Sequence, residues 1–182
     1  MNKIYDRFPV FLIENFHIIN SSNKEELIQL ILENKKLYHN EQFSYNFPIK
    51  IDNKDFFVEL YEKFYNFCEK TFTFTPKTNS SNTCWVYISD KNDFKEVWHN
   101  HLNTSTINSV YYLNIPENDY VTIDFELNGN IYTRKVNDYD LIIFPNYLNH
   151  KPNRCYKDGY RISINMEIIC NESSEYIFNN MR

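Results

Sequence analysis

The sequence predicts an α+β fold, a β-sandwich or barrel buttressed by helices on one face. Three observations predict it. Two early segments place apolar residues at helical spacing, short alternating segments follow one another from Thr83 onward, and Asn128-Gly129 separates two of them. The 182 residues are 42% hydrophobic and 18% aromatic, enough apolar side chain for one full core with little length left for a second. The chain therefore reads as one domain over 1–182. An opening strand and supporting helices occupy 1–80, and a β core with the functional residues occupies 81–170.

Residues 8–19 (FPVFLIENFHII) form the predicted opening strand. Ser22 and Glu25 have the spacing of a capping box, and Leu27, Leu30, Ile31 and Asn34 follow at helical intervals. A second helix is predicted from about Asp52 to Glu69, its stripe of Phe56, Phe57, Leu60, Phe64 and Phe67 packing on a sheet. The predicted strands are 84–89, the segment around His99, 109–115, 120–127, 131–136, 140–144 and 160–169. Asn-Gly between two of them is a strong hairpin signal, because the tight turn that matches strand twist needs positive φ at both positions.

Composition removes several functions. Gly129 and Gly159 are the two glycines, so no Gly-rich phosphate loop or dinucleotide fingerprint exists. A net charge of −5 argues against nucleic acid as a partner, since phosphate binding needs a basic face. Cys68, Cys84, Cys155 and Cys170 are widely spaced and read as reduced, buried thiols rather than a disulfide framework or zinc site. No stretch approaches the ~20 apolar residues of a membrane helix, and the N-terminus lacks a secretory pattern, so a cytoplasmic protein without a membrane partner is expected. The abundance of Asn, Lys, Ile, Tyr and Phe matches AT-rich codons, as in an AT-rich bacterium or its phage.

Three of the five histidines fall in two places: His99 and His101 in WHNHLN, and His150 at the end of DLIIFPNYLNH. Residues i and i+2 of a strand face the same side, so His99 and His101 can converge on one point. A third imidazole from a distant strand would complete a facial set, leaving open positions on an octahedral ion. Imidazole suits Fe(II), and also Zn, Cu and Ni. His150 is expected at a cavity rim, and Arg161 follows it by eleven residues at the start of the last long strand. Each of these residues also has an ordinary reading, the histidines as polar side chains and Arg161 as an ion-pair partner. Their order along the chain favours a shared site. His17 and His39 lie outside the constellation and receive no role.

Together, HNH, SVYYLN, DLIIFPNYLNH and YRISIN resemble the 2-oxoglutarate/Fe(II)-dependent oxygenases, especially prolyl-hydroxylase-like members and small bacterial and phage forms. The likeness spans about Trp85 to Ile169. It implies a double-stranded β-helix of the jelly-roll or cupin-like kind, with N-terminal supporting helices. It implies an iron site at His99, His101 and His150, with Arg161 and Tyr112 binding the far carboxylate of 2-oxoglutarate. The implied reaction consumes 2-oxoglutarate and O2, with ascorbate as an accessory reductant. It hydroxylates a protein or peptide side chain or a small molecule, and releases succinate and CO2. No catalytic side chain beyond the metal ligands is implied. Asn165 matches a frequent polar position, and Trp98 and Tyr111 are candidates for the substrate mouth or for core packing.

One departure stands out: the family holds Asp or Glu where this chain has His101. Two imidazoles and a carboxylate leave Fe(II) one net positive charge, whereas three imidazoles leave two. Asp124, Glu126 and Glu96 are the competing carboxylates, and a His101→Asp variant is expected to keep binding iron. Two rival functions remain at this point: a cupin-like three-His dioxygenase that uses no 2-oxoglutarate, and a non-catalytic β-helix binding module.

Overall fold

A computed structural model describes residues 8–17, 21–38, 42–44, 54–78, 83–92 and 97–182. The opening strand is shorter than predicted: β1 spans Phe11–Ile13 and ends at a turn where Asn15 has φ 54°. Helix α1 covers Ser21–Tyr38, so Ser22 lies inside its first turn rather than ahead of it. A short strand that the sequence did not announce, β2, covers Gln42–Ser44. Helix α2 then covers Lys54–Thr71. The predicted positions 18–19 and 52–53 lie outside the described residues.

The remaining strands are β3 (Thr83–Ser89), β4 (Ile107–Asn114), β5 (Thr122–Leu127), β6 (Asn130–Lys135), β7 (Leu141–Pro145), β8 (Asn149–Pro152) and β9 (Arg161–Ile168). A short helix, α3 (Ser174–Asn179), follows, its first turn capped by the Ser173 hydroxyl. The strands form two antiparallel sheets. The major sheet has the order β1-β7-β4-β9-β3-β2, and the minor sheet the order β6-β5-β8. From β4 onward the chain passes repeatedly between them. The β5–β6 hairpin closes through Asn128 and Gly129 with φ of 53° and 76°, which pairs Leu127 with Asn130.

Strand alternation divides the interior in two. On β4, Tyr111 and Leu113 face the helices, while Val110 and Tyr112 face the minor sheet; on β7, Leu141 and Ile143 face the helices and Ile142 and Phe144 do not. The helix-side core takes Leu27 and Ile31 of α1, Phe57, Leu60, Phe64 and Cys68 of α2, and Ile177 and Phe178 of α3. Helices therefore cover one face of the major sheet, as the apolar stripe of α2 predicts. Between the sheets, Val110, Tyr112, Ile123, Phe125, Ile142, Phe144 and Leu148 form the second core.

Strand β9 has the strictest alternation. Ile162, Ile164, Met166 and Ile168 enter the helix-side core. Arg161, Ser163, Asn165 and Glu167 consequently lie on the face toward the minor sheet. Polar side chains thus floor one stretch of the space between the sheets. All four cysteines are buried and free, and no helix among the described residues is long and apolar enough to cross a membrane.

Candidate metal centre

His99, His101 and His150 meet at the edge of that space. One nitrogen from each ring lies within 4.8 Å of the others. Ring centroids are 5.4 Å apart for His99 and His101, 4.2 Å for His99 and His150, and 5.2 Å for His101 and His150. Exposure is graded across the three: His99 is exposed, His101 half-buried and His150 buried. The cluster thus opens to solvent on the His99 side.

The strand expected around His99 is reduced to one bridge, with His99 opposite His150 on β8. Asn side chains compete for the local backbone and account for its shortness. Asn100 donates to the Asn149 side-chain carbonyl and accepts from the Leu102 amide. A turn follows, in which the His101 carbonyl accepts from the Thr104 and Ser105 amides at 3.1 and 3.2 Å. His101 is brought to the cluster because its own amide donates to the Asn146 carbonyl at 2.9 Å, beyond the end of β7.

His150 is not at the rim that the sequence suggests. It is 4% exposed on β8, paired with Phe125, and its ring lies 4.6 Å from that of Phe144. Strand β8 was invisible as a separate element because NHKP contains three polar residues and a proline. Burial, and then the proximity of His99, push the His150 pKa down to about 3, so this imidazole stays neutral and able to ligate at ordinary pH.

Hydrogen bonding fixes which nitrogens face inward. His99 Nδ1 lies 3.0 Å from the Val97 carbonyl, and His150 Nδ1 lies 3.1 Å from the Leu148 carbonyl. His101 Nδ1 lies 2.8 Å from Glu167 Oε1. A carbonyl or carboxylate oxygen only accepts, so each Nδ1 carries a hydrogen and Nε2 is the nitrogen left for a metal. Three Nε2 atoms with engaged opposite nitrogens form a donor set that could hold a divalent transition metal ion. Glu167 was missed in the sequence, although the alternation of RISINMEI places it on the same face as Arg161.

The alternative carboxylates are not brought to the cluster. Phe125 points between the sheets, so Asp124 and Glu126 lie on the opposite face of β5. There Asp124 accepts from the Thr133 hydroxyl at 2.7 Å, and Glu126 accepts from Asn149. Glu96 and His39 lie outside the described residues. His17 lies against Tyr139, remote in sequence from the cluster. Tyr111 is wholly buried on the helix side and does not line the mouth. Trp98 is exposed beside His99, with the Lys151 ammonium 5.5 Å from its ring centroid.

Arg161 and Tyr112 converge deeper in the same space. Tyr112 pairs with Ser163, one inward position along β9 from Arg161. Tyr112 is 2% exposed and Arg161 4%. The guanidinium donates to the Asn153 carbonyl at 2.5 Å, and no carboxylate among the described residues pairs with it. Burial holds the Tyr112 phenol protonated, against the opposing pull of the nearby Arg161 charge. A buried guanidinium with no carboxylate partner of its own is suited to receive one from a ligand.

No protein-family model and no curated protein matches the chain. Among solved structures, a prolyl-4-hydroxylase from Pseudomonas putida has a TM-score of 0.64 at 9% identity, covering 91% of this chain and 95% of that one. A prolyl hydroxylase from Trichoplax adhaerens, in complex with a peptide fragment of hypoxia inducible factor, has a TM-score of 0.64 at 14% identity, covering 93% and 87%. SnoK, a non-heme α-ketoglutarate-dependent carbocyclase of nogalamycin biosynthesis, has a TM-score of 0.62 at 5% identity, covering 92% and 83%. These likenesses establish the fold: two antiparallel sheets packed as in the double-stranded β-helix of 2-oxoglutarate/Fe(II) oxygenases, with N-terminal helices added.

Proposed function

We propose that the chain is a 2-oxoglutarate- and Fe(II)-dependent oxygenase that hydroxylates a protein or peptide side chain or a small molecule. The observation that carries this reading is the pairing of two features on one face of this fold. Three imidazoles each bring one ring nitrogen within 4.8 Å of the others, and a buried arginine without a carboxylate partner lies further along the same space. His99, His101 and His150 would hold the metal. When bound, Fe(II) supplies oxygen activation coupled to oxidative decarboxylation of the 2-oxo acid.

The chain's own residues bind, orient and exclude. Arg161 would take the distal carboxylate of 2-oxoglutarate in its planar fork, and the protonated Tyr112 hydroxyl would donate to the same group. Asn153 holds the guanidinium in place. Its backbone carbonyl accepts from Arg161, while its amide nitrogen donates to the Thr122 hydroxyl at 2.6 Å. Beside the polar face of β9, Phe125, Phe144 and Val110 give the space apolar walls, which strengthens charge recognition inside it. The open His99 side is where a primary substrate would approach. Two structural neighbours are prolyl hydroxylases, one of them bound to a peptide, which favours a peptide or protein substrate.

The test is turnover of 2-oxoglutarate by Fe(II)-loaded protein, read as succinate formation with and without host-lysate peptides. Succinate above a His150→Ala control supports the reading. Oxygen uptake that is indifferent to 2-oxoglutarate would instead indicate a three-His dioxygenase of another class. No turnover of either kind, together with no metal binding, would leave a binding module.

A further inference from the structure

We infer that Glu167 is a positioning residue for the metal centre. Bonded to His101 Nδ1, it fixes that ring and supplies, one residue removed, the negative charge that a carboxylate ligand would bring directly. This rests on the reading that His99, His101 and His150 hold a metal ion.

The three rings are backed differently. His99 and His150 donate to the neutral carbonyls of Val97 and Leu148, whereas His101 donates to the carboxylate of Glu167 at 2.8 Å. His101 is also the ring that stands where the resembled oxygenases have Asp or Glu. Three neutral imidazoles leave a divalent ion with two positive charges. A carboxylate hydrogen-bonded to one of them lowers the net charge of the assembly to one, matching a two-His, one-carboxylate set. It also raises the basicity of the Nε2 atom that faces the ion.

Burial and register make the arrangement a built one. Glu167 is 6% exposed and sits opposite Asn108 on β4. With the Asn108 amide turned to satisfy both of its ends, its nitrogen donates to Glu167 Oε1 at 3.3 Å and to the Ser105 hydroxyl at 2.5 Å. Its oxygen accepts from the Asn146 amide at 3.2 Å. The Asn146 carbonyl in turn accepts from the His101 amide. Ring and backbone of His101 are therefore tied into one buried polar network that includes Glu167.

The test measures Mn(II) and Co(II) affinity of the full chain and of the variants Glu167→Gln, Glu167→Asp, His101→Ala and His101→Ala/Glu167→Gln. Glu167→Gln should weaken metal binding about 10–100-fold and alter the visible absorption bands of the Co(II) form. Glu167→Asp should recover part of the loss. In the His101→Ala background, Glu167→Gln should change affinity by less than about twofold, because its effect runs through that ring. Unchanged metal binding in Glu167→Gln, or an equal loss with and without His101, overturns the inference. A wild-type chain that binds neither metal overturns the oxygenase reading itself. Should Glu167→Gln fail to fold, the metal-free wild type still decides by NMR. A low-field His101 Nδ1–H resonance, absent in His101→Ala, is required, and its absence from the wild type refutes the assignment.

Discussion

Tyr112 on β4 and Arg161 on β9 lie one register step apart on the same inward face, Tyr112 standing opposite Ser163. Both are buried, and the guanidinium has no carboxylate partner among the described residues. The pair reads as a receptor for an anionic group of a small acid. With Mn(II) present and 2-oxoglutarate at about 100 times its Kd, the gain in stability should be about 2.7 kcal/mol, or roughly 5–10 °C in Tm. Arg161→Ala should weaken 2-oxoglutarate binding about 100-fold, the loss of two charge-assisted hydrogen bonds. Arg154→Ala, whose guanidinium lies 5.5 Å from the Tyr156 ring centroid, should leave the shift intact. Equal losses from the two variants in a thermal-shift titration would reject Arg161 as the receptor.

His150 combines a ligand position with a packing position, so its removal should do two things. His150→Ala should abolish stoichiometric metal binding and also cost about 2 kcal/mol of metal-free stability, because it opens a void beside Phe144 and Phe125. His150→Phe should recover most of the stability and none of the metal. Metal content by elemental analysis and urea unfolding of the metal-free proteins separate the two effects.

Glu167 changes what His101→Asp should do. On charge balance alone, Asp at 101 would restore a familiar ligand set. The Glu167 carboxylate, however, lies 2.8 Å from the present ring nitrogen and would face a second carboxylate. His101→Asp alone should therefore bind iron at least about tenfold more weakly than the wild type, through like-charge repulsion. His101→Asp/Glu167→Gln should bind more tightly than His101→Asp. Competition with a chelator of known affinity orders the three proteins, and a double variant no better than His101→Asp would count against the repulsion.

The cysteines should be silent in the native protein. Burial pushes the thiols of Cys84 and Cys170 up to about 12 and that of Cys68 well above its usual range. Thiolate, the reactive form, is correspondingly scarce at pH 8. Labelling with a disulfide reagent at pH 8 should thus be slow and should track unfolding by urea. Rapid labelling of one or more thiols under native conditions would show that the core opens locally around them.

Much of this architecture was legible because alternation is a local signal. The SVYYLN segment sends Tyr111 to the helices and Tyr112 to the other face, and β4 does so in the structure. Asn128-Gly129 specified its turn outright, since the backbone there needs two positive φ angles. The convergence of His99, His101 and His150 was also readable, though strand geometry was only part of the reason. His101 arrives through the Asn146 carbonyl, a contact between segments 45 residues apart that no local pattern encodes. Strand β8 was hidden for the same reason, since NHKP becomes a strand by pairing with β5. Glu167 was the avoidable omission. A carboxylate sharing the parity of Arg161 on an otherwise apolar-alternating strand had to enter the space between the sheets.

The single bridge between His99 and His150 gives the centre a division of mechanical labour. His150 belongs to a strand locked between apolar rings, whereas His99 is attached to it by one reciprocal pair of backbone hydrogen bonds, at 3.0 and 2.9 Å, on an exposed segment. Breaking this one pair of bonds costs far less than opening β8, so the His99 arm should breathe at a free energy well below that of global unfolding. Within the donor set, His150 is then a rigid template and His99 a compliant clasp. Amide exchange should be fast at His99 and slow at Phe125 and Ile142, and an ion that closes the clasp would slow the first without touching the others.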